Sequence, residues 1–191
     1  VYVGANDGML HAFDAKTGDE LWAYVPSAVL PDISKLANTN YATNHRYFVD
    51  GSPTAADIFD GTSWKTILVG GMGAGGRAYY ALDITDPNSP KALWEYTDTN
   101  LGLTMSYPSV VRVRPLGGDK TQDSDAQWFV VLGSGATSYD GGVGQVAKMY
   151  VVNLKDRITS AAATTVTIFD AGGTISSPLN SFVGDLASID R

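Results

Sequence analysis

Apolar and polar positions alternate over short runs along most of this chain, and glycine, asparagine or aspartate closes nearly every run. The first stretch, VYVGANDGMLHAFDAKTGDELWAYVP, reads as three strands: Val1 to Gly4, Met9 to Asp14 and Glu20 to Tyr24. Asn6-Asp7-Gly8 fills the first gap and Lys16-Thr17-Gly18-Asp19 the second, where glycine supplies the positive φ of a tight hairpin turn. Two hairpins in succession make a meander too small to bury its own apolar faces. Such a unit must stack on relatives of itself.

The relatives are present. Thr66 to Gly71 repeats the first strand and Ala78 to Ile84 the second; Tyr80-Ala81-Leu82-Asp83 lies over His11-Ala12-Phe13-Asp14, and Leu93-Trp94-Glu95-Tyr96 over Leu21-Trp22-Ala23-Tyr24. Asp14 and Asp83, like Trp22 and Trp94, stand roughly 70 residues apart, one repeat with a variable loop. A third pass runs through Tyr107 to Val113, Trp128 to Gly133, Lys148 to Leu154 and Thr165 to Asp170, with Asn153 in the place of the aspartate and Phe169 in that of the tryptophan. Asp or Asn there can close the turn with its own side chain. Ser176-Ser177-Pro178 echoes Ser52-Pro53 and Tyr107-Pro108, and so opens a fourth unit.

Four-stranded units repeated around an axis predict an all-β chain forming part of a β-propeller, about three antiparallel blades of a larger ring expected to hold roughly seven or eight. The boundaries read as blade 1 at 1–26 without its inner strand, an inserted loop at 27–46, blade 2 at 47–98, blade 3 at 105–171 and the start of blade 4 at 176–191. In the inserted loop, Leu30, Ile33, Leu36 and Ala37 fall at helical spacing after Pro31 and predict one or two helical turns. YFVDGSPTAADIFDG predicts an inner strand passing through Ser52-Pro53, with small Thr54, Ala55 and Ala56 near the axis. The polar insertions Leu116 to Gln127 and Ser134 to Gln145 belong on the surface. Val1 opens in mid-strand and Arg191 closes in mid-phrase, so the chain is expected to be a piece of a longer protein.

Composition narrows the functions. The net charge of -7 repels nucleic acid, no run is long enough to span a bilayer, and the absence of cysteine removes disulfides and thiolate metal sites. The glycine-dense stretch from Gly70 to Gly76 precedes a strand rather than a helix, so it reads as a hairpin loop needing free φ, not as a phosphate cradle. Asp119, Asp123 and Asp125 lack the spacing of a calcium loop and read as a solvated acidic loop. His11 packs in a strand, and His45 beside Arg46 reads as a loop anchor rather than a catalytic base. Ser134 follows a strand but precedes no helix, so no nucleophile is indicated. Trp22, Trp64, Trp94 and Trp128 recur at blade positions and read as wedges between blades.

The first 22 residues resemble the tryptophan-bearing repeat of pyrroloquinoline quinone enzymes and of outer-membrane assembly lipoproteins. More of the chain is similar to the C-terminal propeller of the PilC/PilY type IV pilus biogenesis and tip-adhesin family: NDGMLHAFDAKTGDELWAYVPSAV, HRYFVDGSPTAADIFDGTSWKTILVGGMGAGGRAYYALDITDP, LWEYTD and SYPSVVR carry it. That resemblance implies a non-enzymatic module of an exported surface protein associated with the outer membrane, supporting pilus extension against retraction, adhesion and twitching motility. Its partners would be pilins and minor pilins, with host receptors engaged by other regions. It also implies calcium in an Asp-rich loop, to which Asp190 alone corresponds here, so the site is not complete in this chain. The residues expected to shape the structure are Trp22, Trp94, Asp14, Asp83, Pro53, Pro108 and Pro178. A quinoprotein dehydrogenase fragment and an outer-membrane assembly scaffold are the rival readings.

Overall fold

The computed structural model describes residues 1–115, 117, 122–140, 144–159, 166–170 and 182–186. Three antiparallel sheets follow one another along the chain. The first comprises β1 (Tyr2–Gly4), β2 (Leu10–Phe13) and β3 (Glu20–Tyr24). The second comprises β4 (Thr54–Phe59), β5 (Trp64–Gly71), β6 (Tyr79–Asp83) and β7 (Lys91–Tyr96). The third comprises β8 (Ser109–Val113), β9 (Gln127–Gly133), β10 (Lys148–Asn153) and β11 (Val166–Asp170). Within each, spatial order follows chain order, so every sheet is a meander.

Side-chain alternation sends each strand's residues to two faces, and the middle sheet buries both. Leu68, Tyr80 and Leu82 pack with Leu10, Val29 and Phe48, and with Trp22 and Tyr24 of the first sheet. The next positions, Ile67, Val69, Tyr79, Ala81 and Trp94, pack against Trp128, Val130, Leu132, Tyr150 and Val152 of the third. Each aliphatic side chain so buried contributes about 1.5–3 kcal/mol, which supplies what a lone meander lacks.

A short crossing segment leads into each seam. Strand pairing makes Gly4, Gly71 and Gly133 equivalent, since they oppose Leu10, Tyr79 and Met149 at matching places. A Cβ on Gly4 would lie 2.6 Å from Val49 O, one on Gly71 2.8 Å from Thr104 O, and one on Gly133 2.7 Å from Val183 Cβ. Val49, Thr104 and Val183 therefore cross equivalent places. The Val49 N–H donates to Ala5 O at 3.3 Å and the Val183 N–H to Ser134 O at 2.8 Å.

Several expectations from sequence are corrected. No strand passes through Pro53: β4 starts one residue later, its pairing opening with Thr54 opposite Val69, because proline has no N–H to give the ladder. Pro108 likewise stands just before β8. Residues 27–46 hold three short 3-10 turns, Ser27–Val29, Ile33–Ala37 and Tyr41–Thr43; Ile33 and Leu36 of the expected stripe pack against the core, whereas Leu30 is 58% exposed and Val29 takes the buried place beside it. A six-residue helix, α1 (Leu154–Thr159), follows β10 where none was expected. The segment beginning at Ser134 is not all surface: Ser134, Ala136 and Gln145 are buried, because the Gly135 N–H donates to Leu101 O at 2.8 Å and the Leu103 N–H to Ala136 O at 2.7 Å.

Candidate interaction surface

The turn residues that recur along the chain act through their side chains. Asp14 Oδ1 accepts the Lys16 and Thr17 N–H groups at 2.7 and 3.1 Å, which holds its carboxyl below the usual carboxylate range. Asp83 Oδ1 accepts the Thr85 N–H at 2.9 Å, and Asn153 Oδ1 the Asp156 N–H at 3.3 Å in the first turn of α1. These are the side-chain turn closures that Asp and Asn make best.

Each tryptophan lies at a seam. Trp22 tilts against Tyr2 and its indole N–H donates to Pro87 O of the second sheet at 2.7 Å. Trp94 is 6% exposed between the second and third sheets, where Trp128 is buried and Trp64 meets it edge-on at 5.9 Å. The pairing that sets Trp22 opposite Ala12 and Trp94 opposite Ala81 sets Thr167 opposite Val151, so the third tryptophan position is Thr167 and Phe169 matches Tyr96. Trp94 is enclosed and offers no open platform for a flat cofactor, while Trp22 is half-buried against Tyr2 and tied to the second sheet through its indole N–H.

The first seam also carries a polar staple that the repeat pattern did not reveal. Glu95 on β7 accepts from the Ser27 N–H at 2.8 Å, the Ser27 hydroxyl and the Tyr24 hydroxyl at 2.6 Å. Burial raises its carboxyl, but these donors outweigh it and leave the pKa below the ordinary glutamate range. Burial and the facing Glu95 push the Tyr24 phenol upward.

The other polar candidates resolve into local roles. His11 Nδ1 lies 2.6 Å from Glu20 Oε1 and Nε2 2.8 Å from Asp7 Oδ2, so the ring clamps the first turn to β3; the Glu20 contact raises its pKa against the effect of burial, and Asp7 adds to it. Arg46 and Lys35 both pair with Asp32, at 2.8 and 2.5 Å, which ties the two ends of the inserted loop together. His45 makes only ring contacts, with Tyr41 and Tyr47. Asp123 is neutralised by Arg112 and by Arg114 at 3.7 Å, an arrangement opposed to cation capture. Asp119, Pro178 and Asp190 lie outside the described residues. Among the described residues no three His, Asp or Glu side chains converge on a metal position.

The glycine-dense loop is tight for a different reason from the expected one. Only Gly73 there has positive φ, whereas a Cβ on Gly75 would sit 1.6 Å from Phe48 O. Close backbone passage, not turn geometry, requires glycine at that point.

Comparison with known proteins accounts for these features together. The family model for the PilY1 beta-propeller domain matches residues 1–181. A type IV pilus biogenesis factor PilY1 homolog of Xylella fastidiosa is 44% identical over 158 residues, covering 81% of this chain and 12% of the relative. Type IV pilus biogenesis factor PilY1 of Pseudomonas aeruginosa strain UCBPP-PA14 is 46% identical over 139 residues, covering 71% of this chain and 11% of the relative. The crystal structure of the P. aeruginosa PilY1 C-terminal domain superposes with a TM-score of 0.63 at 35% identity, over 93% of this chain and 31% of that one. The chain thus spans about a tenth of the length of the curated relatives it matches. It belongs to the PilY1 beta-propeller domain family.

Proposed function

We propose that the three sheets are successive blades of a ring-closed propeller within a larger pilus-associated protein, and that this propeller is a non-enzymatic interaction module in type IV pilus biogenesis. The observation that carries the reading is the repeated crossing at Gly4, Gly71 and Gly133, of which the first two lead the chain into the second and third sheets. Pro53 and Pro108 each stand four residues past the crossing; by count, the counterpart after Val183 is Ala187 rather than Pro178. The outward face of the third sheet is then the seat of a further blade.

In this reading the module presents rigid loops to pilins and minor pilins, supports extension against retraction, and serves adhesion and twitching at the cell surface after export across the inner membrane, in association with the outer membrane. Host receptors are engaged by other regions. Calcium belongs to the parent protein through Asp190 and residues past it, and no described residue takes part. A quinoprotein role is disfavoured because Trp22 and Trp94 are consumed in seams.

The test is genetic. In a piliated bacterium carrying the parent gene, Gly75→Ala should remove surface pili and twitching, and inactivating the retraction motor should restore pili. Unchanged surface pili and motility, with the variant protein shown to be misfolded, would overturn the reading.

A further inference from the structure

We propose that the inserted loop forms a saccharide-binding cleft selective for carboxylate-bearing sugars. The cleft, about 520 Å³, is walled by Asn38, Asn40 and Asn44 with Lys35, Arg46 and the rings of Tyr41 and His45. No carboxylate lines it, although the chain as a whole carries a net charge of -7. Asp32 lies behind it, bonded to both Lys35 and Arg46, so two cations are balanced by one anion and a single positive charge remains.

The aromatic side chains continue from the cleft as a ladder. Tyr41 and His45 have ring centroids 5.5 Å apart, His45 and Tyr47 5.5 Å, and Tyr47 and Tyr139 6.0 Å. Tyr47 is 42% exposed and Tyr139 66% exposed. The loop bearing Tyr139 is secured where Arg77 Nη2 donates to Thr137 O at 2.7 Å. Open aromatic rings of this size bind surfaces that are apolar on one side and polar on the other.

A pyranose has that form. Its C–H face lies on a tyrosine ring, while vicinal hydroxyls both donate to and accept from a carboxamide, the one neutral side chain with both functions side by side. The residual positive charge favours a sugar acid over a neutral sugar. Phosphate fits less well, because one residual positive charge matches a monoanionic carboxylate better than a dianion, and among the described residues no glycine-rich strand-to-helix turn points backbone N–H groups into the cleft. The site rests on this geometry alone, and failure of the pilus reading leaves it standing.

The test titrates the intact chain separately with 3′-sialyllactose, trigalacturonic acid and lactose, monitored by saturation-transfer NMR and calorimetry. At least one acidic sugar should bind with Kd below about 1 mM and at least about 5-fold more tightly than lactose. The two acidic probes distinguish a sialic from a uronic source of the carboxylate. Tyr47→Ala and Asn40→Ala should each weaken binding about 10-fold with the melting temperature unchanged, since both side chains are exposed. Lys35→Gln should narrow the preference over lactose. Absence of saturation transfer from all three sugars at about 10 mM overturns the site. Binding that Tyr47→Ala and Asn40→Ala leave intact places the sugar elsewhere and also overturns it, and equal affinity for lactose overturns the selectivity.

Discussion

The middle and third sheets turn equivalent faces in the same direction, yet one is closed and the other open. Val69, Tyr79 and Ala81 are each 0% exposed and Trp94 is 6% exposed under the third sheet. Their counterparts by pairing are Val131, Met149, Val151 and Thr167. The first three of these are half-buried and Thr167 is exposed, and Phe169 beside them is 53% exposed. Three of the four positions are apolar on both faces, with Thr167 standing where the middle sheet has Trp94, so the difference in burial lies mainly in what covers them. Apolar content on a strand face therefore does not bury that face unless a neighbour is packed against it, as the third sheet is against the middle one.

A charge placed at the paired positions tests this most severely. Val69→Asp buries an unpaired carboxylate and should destabilise by more than about 4 kcal/mol, leaving no cooperative melt by circular dichroism. Val131→Asp should cost clearly less, about 1–2 kcal/mol, because Val131 is only half-buried and a carboxylate there keeps contact with water. Equal losses would show that the two faces are not differently covered. Next in size are the crossings. Gly135→Ala would place a Cβ 1.7 Å from Leu103 O and should cost about 3 kcal/mol, whereas Gly18→Ala, with nothing within 4 Å but φ at +80°, should cost about 1 kcal/mol through backbone strain alone. Urea denaturation of the two variants side by side measures the gap.

The two faces of the middle sheet also differ at adjacent tyrosines. The Tyr79 hydroxyl lies 3.1 Å from Gly133 O and 3.2 Å from Ser106 Oγ, and burial raises its pKa to about 12. The Tyr80 hydroxyl is buried with no hydrogen-bond partner among the described residues. Tyr79→Phe should thus cost about 1 kcal/mol, while Tyr80→Phe should be neutral or slightly stabilising, because it removes a polar atom that nothing satisfies. A thermal melt of each variant decides it.

The repeat was legible because its marks are local: Asp14 and Asp83 each close a turn within three residues, and Trp22 and Trp94 each follow a glycine- or proline-bearing turn. Strand limits at Pro53 and Pro108 could have been read more strictly, since the missing N–H is a property of the residue itself. Thr167 was missed because residue type suggested Phe169, while register, set by β10, decides the position. The Glu95 staple and the aromatic ladder were out of reach. Each joins segments far apart in the chain, Ser27 to Glu95 and Tyr47 to Tyr139, and no periodicity connects those positions. The helix α1 is too short to show a helical stripe.

The smallest expected effect lies on the face of the first sheet opposite its seam. Pairing makes His11 equivalent to Tyr80 and Tyr150, both fully buried by a preceding sheet, whereas His11 is only half-buried and is held by Glu20 and Asp7 instead. Its pKa in the folded chain is raised, mainly by Glu20. The native state therefore binds the proton more tightly than the unfolded chain, whose histidine titrates near about 6.5. The resulting stabilisation is complete below that value and disappears as pH rises through the folded pKa. Because both carboxylates are nearly half exposed, it should stay under about 1 kcal/mol and shrink in high salt. Urea midpoints should fall from pH 6 to pH 8.5 in the native sequence, and His11→Gln, which keeps a polar side chain without the titration, should reduce that slope. An unchanged slope would show that the clamp contributes no pH dependence, and that this face, unlike its buried equivalents at Tyr80 and Tyr150, holds its strand by packing alone.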